Sequence, residues 1–470
     1  MSTTTVSIKK WAQRSPFSCA LITPEYNYTW AQLTGEIHQF SAQLRSQGVK
    51  QGDVVTIVGK NQTESLFVYL ACCELGAITA LTMPQPWSAL TQKLNCLYKQ
   101  QQSRYLWLTD DVWLGFSEQE QQELETSCSL LAFDTSTNRS EAEPLSKINA
   151  DDIASVIFTS GSTGLPKAVA HSFAQHFASA QGLLEEFSYG VPDTWLLSLP
   201  MYHVSGLAII YRWLAAGGCL KLGVGDLCKD IQDVTHASLV ATQLSRLIAS
   251  DQPLALSRVL LGGSHIPQEL TKKCASFGID TWLGYGMTEA ASTVTVKQID
   301  DNPTAGKLLP NRRLKIEGNR IYIGGETLAK GYFFQGRITT LIDLEGWFDS
   351  KDLGQWEGGE LRIIGRADNQ FISGGENIHC EEIEAQLNQH PDIDQSIIIP
   401  IEDSEFGHRP VAIIESSRPI DELDIVDYLQ HRLERFKWPV SYYLMPEEML
   451  NSGIKVSRSA LKRWLESRIK

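Results

Sequence analysis

Apolar residues fall into two alternating patterns along the first part of the chain. Short continuous runs, among them Val54 to Val58, Ile78 to Leu81, Tyr105 to Leu108 and Ile153 to Phe158, read as buried strands. Between them the spacing turns helical. Ala31 to Gln47 places Leu33, Ile37, Phe40 and Leu44 on one face and stops at Gly48. Asn61 stands where it can cap a helix carrying Phe67, Leu70 and Leu75, and Ser88 to Gln101 reads as a helix with Ser88 at its N-cap. Tyr26 to Trp30 reads as a short strand or turn. Strand, helix, strand at this spacing predicts a parallel α/β sheet. The most hydrophobic stretch, Ser65 to Met83, carries Glu74 in its middle and Gly76 just after. It is therefore expected to be a buried helix running into a strand, not a membrane span. Glu118 to Pro144 is polar, acidic and Ser/Thr-rich and reads as a surface excursion.

The texture changes beyond Asn302. Leu314 and Ile316 alternate with polar residues, Glu317-Gly318-Asn319 makes a turn, and Ile321 to Ile323 follows, which predicts an antiparallel pair. Gly358-Gly359 separates two more strand signals. Arg366-Ala367-Asp368-Asn369 is short and polar, and a Glu- and Leu-rich helical tail follows. The domain boundary is placed there, giving residues 1–366 and 367–470.

Several predicted strands end in small, hydroxyl or acidic residues, and open α/β sheets collect ligands at strand ends. Val259 to Leu261 ends in Gly262-Gly263-Ser264, and Thr281 to Leu283 in Gly284-Tyr285-Gly286-Met287-Thr288-Glu289. Trp195 to Pro200 leads into Met201-Tyr202-His203-Val204-Ser205-Gly206, followed by Leu207 to Ala216, which is apolar except for Arg212. A charge in such a run needs an anionic partner. An internal pair with Asp or Glu, a snorkelling side chain and a ligand all satisfy that requirement. The densest stretch is Thr159-Ser160-Gly161-Ser162-Thr163-Gly164-Leu165-Pro166-Lys167, between the strand Ile153 to Phe158 and a predicted helical segment holding Ala168, Val169, Phe173, Phe177 and Leu183. Glycines let backbone N–H groups turn to one point, hydroxyls add donors and Lys adds charge, so polyphosphate suits this cradle better than a surface-linker role does. Its G-x-x-G-x-x-K spacing is neither the Walker nor the dinucleotide pattern.

Composition narrows the picture. The length of 470 residues exceeds one ordinary core, and 43% hydrophobic with 20% charged residues is normal for a globular enzyme. A net charge of −14 argues against general nucleic-acid binding while leaving room for a locally positive pocket. Nine cysteines form no C-x-x-C pair, and the odd count fits a reducing compartment. The N-terminus lacks a basic-then-apolar leader pattern, which gives a cytoplasmic expectation.

Taken together, the segments match a family. Thr159 to Lys167 resembles the phosphate loop of the adenylate-forming (AMP-binding, acyl-CoA synthetase) enzymes, and Tyr285-Gly286-Met287-Thr288-Glu289 resembles their second signature. Gly346-Trp347-Phe348 to Asp352-Leu353-Gly354 resembles the third. Gly365 to Asp368 with Ser373-Gly374-Gly375-Glu376-Asn377-Ile378 resembles the fourth, and Lys455-Val456-Ser457-Arg458 the fifth. The short chain, His203 to Leu207 leading to Tyr211-Arg212-Trp213-Leu214, and Asn451 to Arg458 are most similar to the o-succinylbenzoate–CoA ligase group. Ile454 before Lys455 departs from the wider family's Gly, and Cys380 from its Pro, a change expected to affect only a turn.

The resemblance implies a large N-terminal domain of stacked α/β sheets with a small β-barrel-like part, then a small mobile α+β domain. It implies ATP, Mg2+ and CoA, with a carboxylate attacking the α-phosphate and the CoA thiol then displacing AMP. Lys455 is implied to neutralise the reacting centre, Thr288 to meet the α-phosphate, and Glu289 with Thr163 to hold Mg2+. Thr159, Ser160, Gly161, Ser162, Thr163, Gly164 and Lys167 are implied to bind the β- and γ-phosphates. Gly262, Gly263 and Tyr285 are placed at the base, Gly286 and Met287 elsewhere along the nucleotide site, and Asp352 and Arg366 at the ribose. Asp368 is the implied hinge, with Ser373, Gly374 and Gly375 moving to the CoA channel. His203, Ser205, Arg212, Ser264 and Gly284 line the acid pocket, Arg212 holding the aromatic carboxylate. The partners expected are small molecules, with no nucleic acid and no membrane span; a homo-oligomer stays open. Two other readings are a ligase for another aryl or fatty acid and a catalytically silent nucleotide-binding protein.

Overall fold

The computed structural model describes residues 4–134, 148–159, 166–250, 252–262, 266, 268–416, 418, 422–430, 432–450 and 456–469. The predicted parallel strands belong to an eight-stranded sheet in which Val54–Val58 lies between Ile78–Thr82 and Tyr105–Leu108, and Ile78–Thr82 pairs with Ile153–Thr159. A second, nine-stranded sheet runs through Cys219–Lys221, Thr194–Leu196, His236–Leu239, Arg258–Gly262 and Asp280–Met287, all parallel, and then turns antiparallel at Ser292–Gln298. Residues from both sheets share one apolar core with the helices Thr63–Leu75, Phe173–Leu184 and Val204–Ala216. Thr63–Leu75 is buried without a break from Ser65 to Leu75, which explains its near-uniform hydrophobicity. It runs on into the strand Ile78–Thr82, as expected for that stretch. No helix among the described residues is long and apolar enough to cross a membrane.

A four-stranded antiparallel sheet, Arg312–Glu317, Arg320–Gly325, Phe348–Glu357 and Glu360–Arg366, forms the smaller β part. Its first turn places Gly318 and Asn319 at φ 55° and 64°, the left-handed pair that a tight hairpin requires. From Gln370 onward the chain builds a separate five-stranded sheet. One face packs on Cys380–Leu387 and Glu422–Leu429, the other on Arg458–Ile469.

Local expectations are corrected in five places. The phosphate loop is followed not by a helix but by the strand Lys167–Ser172, paired antiparallel with Ile153–Thr159 so that Thr159 faces Lys167. Burial on both faces of that strand hides the alternation that marks a half-exposed strand. Ser88 lies inside a helix, Trp87–Leu97, that starts after Pro86 and ends before Gln101. Asn61 caps nothing; its amide donates to the Leu197 and Leu199 carbonyls and accepts from the Met201 amide, tying down the segment before His203. The acidic excursion begins as the helix Glu118–Ser127 with a Ser117–Glu120 capping box. Cys380 is the first residue of a helix, a position where Pro is well tolerated, so it marks no turn.

Candidate nucleotide and acid site

The start of Lys167–Ser172, the turn after Met287 and the strand Gly331–Phe334 meet at one place. Tyr332 pairs with Val169, so its ring lies on the face that carries Lys167 and His171. Lys167 Nζ sits 5.2 Å from the centre of the Tyr332 ring, and the Tyr332 hydroxyl donates to Glu289 Oε1 at 3.3 Å. Burial and the Glu289 carboxylate push the Tyr332 hydroxyl up, so it stays a donor. Glu289 belongs to a single 3-10 turn, Thr288–Ala290, so no long helix dipole accounts for its position. Ala291 and Ser292, just beyond, take φ of 51° and 93°, a strained turn held from outside. Gly286 is required by its neighbour: a Cβ there would lie 1.7 Å from the Ser292 carbonyl oxygen.

A continuous chain of hydrogen bonds joins the other implied nucleotide residues. The Tyr285 hydroxyl donates to Asp352 Oδ2 at 2.6 Å, and Arg366 Nη1 donates to Asp352 Oδ1 at 2.9 Å. Arg366 also holds Asp368 in a fork, Nε to Oδ1 at 2.8 Å and Nη2 to Oδ2 at 3.0 Å. Asp352 is 6% exposed within a strand and so is not a surface turn residue. Burial raises the Tyr285 pKa well above its ordinary value, with the Asp352 charge adding to it. The Asp368 fork, with Asp352, raises that of Arg366 against burial. For Asp368 burial pushes up but the Arg366 bond and charge outweigh it, holding the carboxyl low. Ser373 is buried at the end of Gln370–Ser373, and Gly374 and Gly375 take φ of 58° and 90° in the hairpin that follows.

The helix Val204–Ala216 positions the implied acid pocket. His203 is its N-cap, without a side-chain cap bond. Gly206 lets its first turn press on Leu199–Pro200, where a Cβ would meet the Pro200 oxygen at 2.1 Å. Ser205 and Arg212, seven residues apart, share a face about 10 Å apart along the axis. Arg212 is 2% exposed, and among the described residues no carboxylate pairs with it. Its Nη2 donates to Thr293 Oγ1 at 3.2 Å, its Nε has no partner among the described residues, and its guanidinium lies 5.4 Å from the Trp195 ring centre. Burial, helped by nearby Arg312, pulls its pKa down to about 9, still charged at neutral pH. Thr293 pairs with Gly286, which places this cation behind the strand bearing Gly284, Tyr285 and Met287. His203 is held neutral by burial and by the charge of Lys93.

Ser160, Gly161, Ser162, Thr163, Gly164, Gly263, Ser264 and Lys455 lie outside the described residues; Thr159 and Gly262 end their strands beside them. Sequence reasoning missed Tyr332, Thr293, His171 and Lys93. Lys93 bonds Thr82 Oγ1 at 2.5 Å, lies 5.0 Å from the Phe158 ring centre, and is pulled down to about 8 by burial. Its available signal was a lysine beside the apolar stripe Leu90, Leu94 and Leu97. Among the described residues no cluster of three His, Cys, Asp or Glu could hold a metal ion by itself. A single carboxylate such as Glu289 suits Mg2+ that arrives with phosphate oxygens as most of its ligands.

The chain belongs to the AMP-binding enzyme family, whose sequence model matches residues 8–333. Among curated proteins it is similar to the 2-succinylbenzoate–CoA ligase of Salmonella typhimurium, 38% identical over 460 residues and 97% of each chain. The Haemophilus influenzae protein of that name is 39% identical over 450 residues, 94% of this chain and 93% of the relative. Among solved structures it is similar to a variant of Escherichia coli MenE with bound OSB-AMS, with a TM-score of 0.88, 35% identity and 99% of both chains covered. It is also similar to o-succinylbenzoate coenzyme A synthetase (MenE) from Bacillus subtilis in complex with ATP and magnesium ion, with a TM-score of 0.79, 26% identity, and 93% and 95% covered.

Proposed function

We propose that the chain is an AMP-forming acid–thiol ligase that adenylates 2-succinylbenzoate with ATP and passes the acyl group to CoA, a step of menaquinone biosynthesis. The observation that carries the choice of acid is Arg212, a buried cation with an unfilled donor and no carboxylate beside it among the described residues. 2-Succinylbenzoate has two carboxylates. Activation consumes the succinyl one, and the aromatic one then meets Arg212, with Ser205 and His203 along the same helix. An acid with one carboxylate leaves that cation unmatched.

In this reading Thr159 to Lys167 holds the departing pyrophosphate, and Thr288 and Lys455 answer the charge that develops at the α-phosphate. Glu289 with Thr163 holds Mg2+. Tyr285, Gly262 and Gly263 border the base, Gly286 and Met287 lie elsewhere along the nucleotide site, and Gly284 and Ser264 border the acid. Asp352 accepts from the ribose, and Arg366 steadies it. Residues 1–366 and 367–470 are separate domains, and breaking the Arg366–Asp368 fork frees the second to carry Lys455 away and bring Ser373-Gly374-Gly375 towards CoA. ATP and CoA make the cytoplasm the compartment of this reaction.

Pyrophosphate release measured with 2-succinylbenzoate, benzoate, 4-phenylbutyrate and medium-chain fatty acids tests the assignment. Preference for 2-succinylbenzoate by about 10²-fold or more in kcat/KM is expected. Comparable rates for all four would remove it.

A further inference from the structure

We infer that His171 is a positioning residue: its imidazole N–H holds the Thr288 carbonyl, and thereby the Thr288–Glu289 turn, against the strand that leaves the phosphate loop. This rests on the reading that Thr288 and Glu289 meet the nucleotide's phosphates and its Mg2+.

His171 is fully buried in Lys167–Ser172, and its Nε2 lies 2.7 Å from the Thr288 carbonyl oxygen, 117 residues along the chain. A carbonyl only accepts, so Nε2 carries the hydrogen. Burial pulls the ring's pKa down to about 4, against the opposing pull of that carbonyl, so the ring is neutral and Nδ1 is bare. Among the described residues Nδ1 has no partner, and the neighbouring His176 ring, 4.9 Å away, is itself bonded to Ser155 Oγ and stacked on Tyr211. The surroundings therefore fix one protonation state and one tautomer.

Three observations separate a positioning role from simple packing. The Thr288 oxygen already accepts the Ala291 amide at 3.1 Å, so the turn closes without His171 and the second bond only places it. The turn is strained at Ala291 and Ser292, and a strained turn needs external ties. The other ties come from the same neighbourhood: Ser179 Oγ donates to the Ala291 carbonyl at 2.5 Å, and the Tyr332 hydroxyl reaches Glu289. His171, Tyr332 and Lys167 thus form one face that registers the phosphate loop's exit strand against the metal-side turn. A shift of this turn by an ångström would misplace both the α-phosphate donor and the carboxylate.

The test uses the full-length enzyme with His171→Gln, whose amide nitrogen reaches as far as Nε2, His171→Asn, which is too short, and His171→Leu, which has no donor. Adenylation is followed as a function of ATP and Mg2+, alongside thioester formation from pre-made acyl-adenylate. His171→Leu and His171→Asn are expected to lose about tenfold to a hundredfold in kcat/KM for ATP and to need more Mg2+ for half-maximal rate. His171→Gln should stay within about threefold of the parent, and thioester formation should change by less than about threefold in all. Equal loss in Gln and Asn, or unchanged ATP and Mg2+ dependence in Asn and Leu, overturns the inference. If His171→Leu does not fold, the Gln–Asn pair decides alone. Glu289→Gln runs beside them: an unchanged Mg2+ response there defeats the underlying reading of the turn, whereas a changed one with His171→Asn unaffected defeats only the role of His171.

Discussion

Two arginines sit near each other in the core, and their surroundings are opposite. Arg312 is saturated by backbone. Its Nε and Nη2 donate to the Thr293 carbonyl at 3.0 and 2.8 Å, Nη1 to the Pro310 carbonyl at 2.6 Å, and Nη2 also to Ser179 at both its carbonyl and hydroxyl. Gly182 leaves the room, since a Cβ there would lie 2.1 Å from Nη1. Among the described residues Arg212 has one hydroxyl, one aromatic face and a donor with nothing to meet. On the proposed reading of Arg212, the contrast separates a structural cation from a binding one. The first is consumed by the fold, while the second keeps hydrogen-bonding capacity that no anion among the described residues takes up, as the proposed role requires.

The largest effect should follow from breaking the saturated side. Arg312→Met leaves the Thr293, Pro310 and Ser179 carbonyls without their donor, and a loss of at least about 3 kcal/mol is expected in urea unfolding. A change below about 1 kcal/mol would mean that water satisfies these carbonyls equally well.

A smaller effect comes from His171. Its folded pKa, about 4, lies below the ordinary unfolded value, so the unfolded chain takes the proton first as pH falls. Its contribution is intact above about pH 6.5 and declines as pH drops towards 4, by about 1 kcal/mol between pH 6.5 and 5.5. The difference between the parent and His171→Gln in unfolding free energy should narrow by that amount over this interval. A pH-independent difference would show that the ring takes up its proton as readily in the folded protein as in the unfolded chain.

The smallest effect should come from Arg212→Met. Removing a poorly paired buried charge and keeping its volume should change stability by about 1 kcal/mol or less, in either direction. A loss as large as that of Arg312→Met would show that Arg212 is a structural cation too.

These particulars also show what the sequence can disclose. Arg212 is legible because it is the one charge inside an apolar helix, and the glycine- and hydroxyl-rich strand ends are legible because short motifs carry their own chemistry. Arg312 is not, because it stands in the polar run Asn311-Arg312-Arg313 and its partners are backbone carbonyls, which leave no trace in residue type. His171 and Tyr332 escape notice for the same reason: their roles depend on which strand pairs with which. The strand Lys167–Ser172 passes for part of a helix in the sequence because burial on both faces removes the period of two. The parallel strands and the hairpins at Gly318 and Gly358 follow from periodicity and turn residues, since those signals are local, whereas their division into two stacked sheets is implied only by the family resemblance.

The central claim is that Arg212 is held for the ring carboxylate of the acid. It is tested most directly by kcat/KM for adenylation of 2-succinylbenzoate and of 4-oxo-4-phenylbutanoate, which lacks that carboxylate, in the parent and in Arg212→Met. The parent should prefer the dicarboxylate by about 10²- to 10³-fold, and the variant should lose most of that preference while turning over the monocarboxylate at close to the parent's rate. A preference of the same size in both proteins would contradict the account.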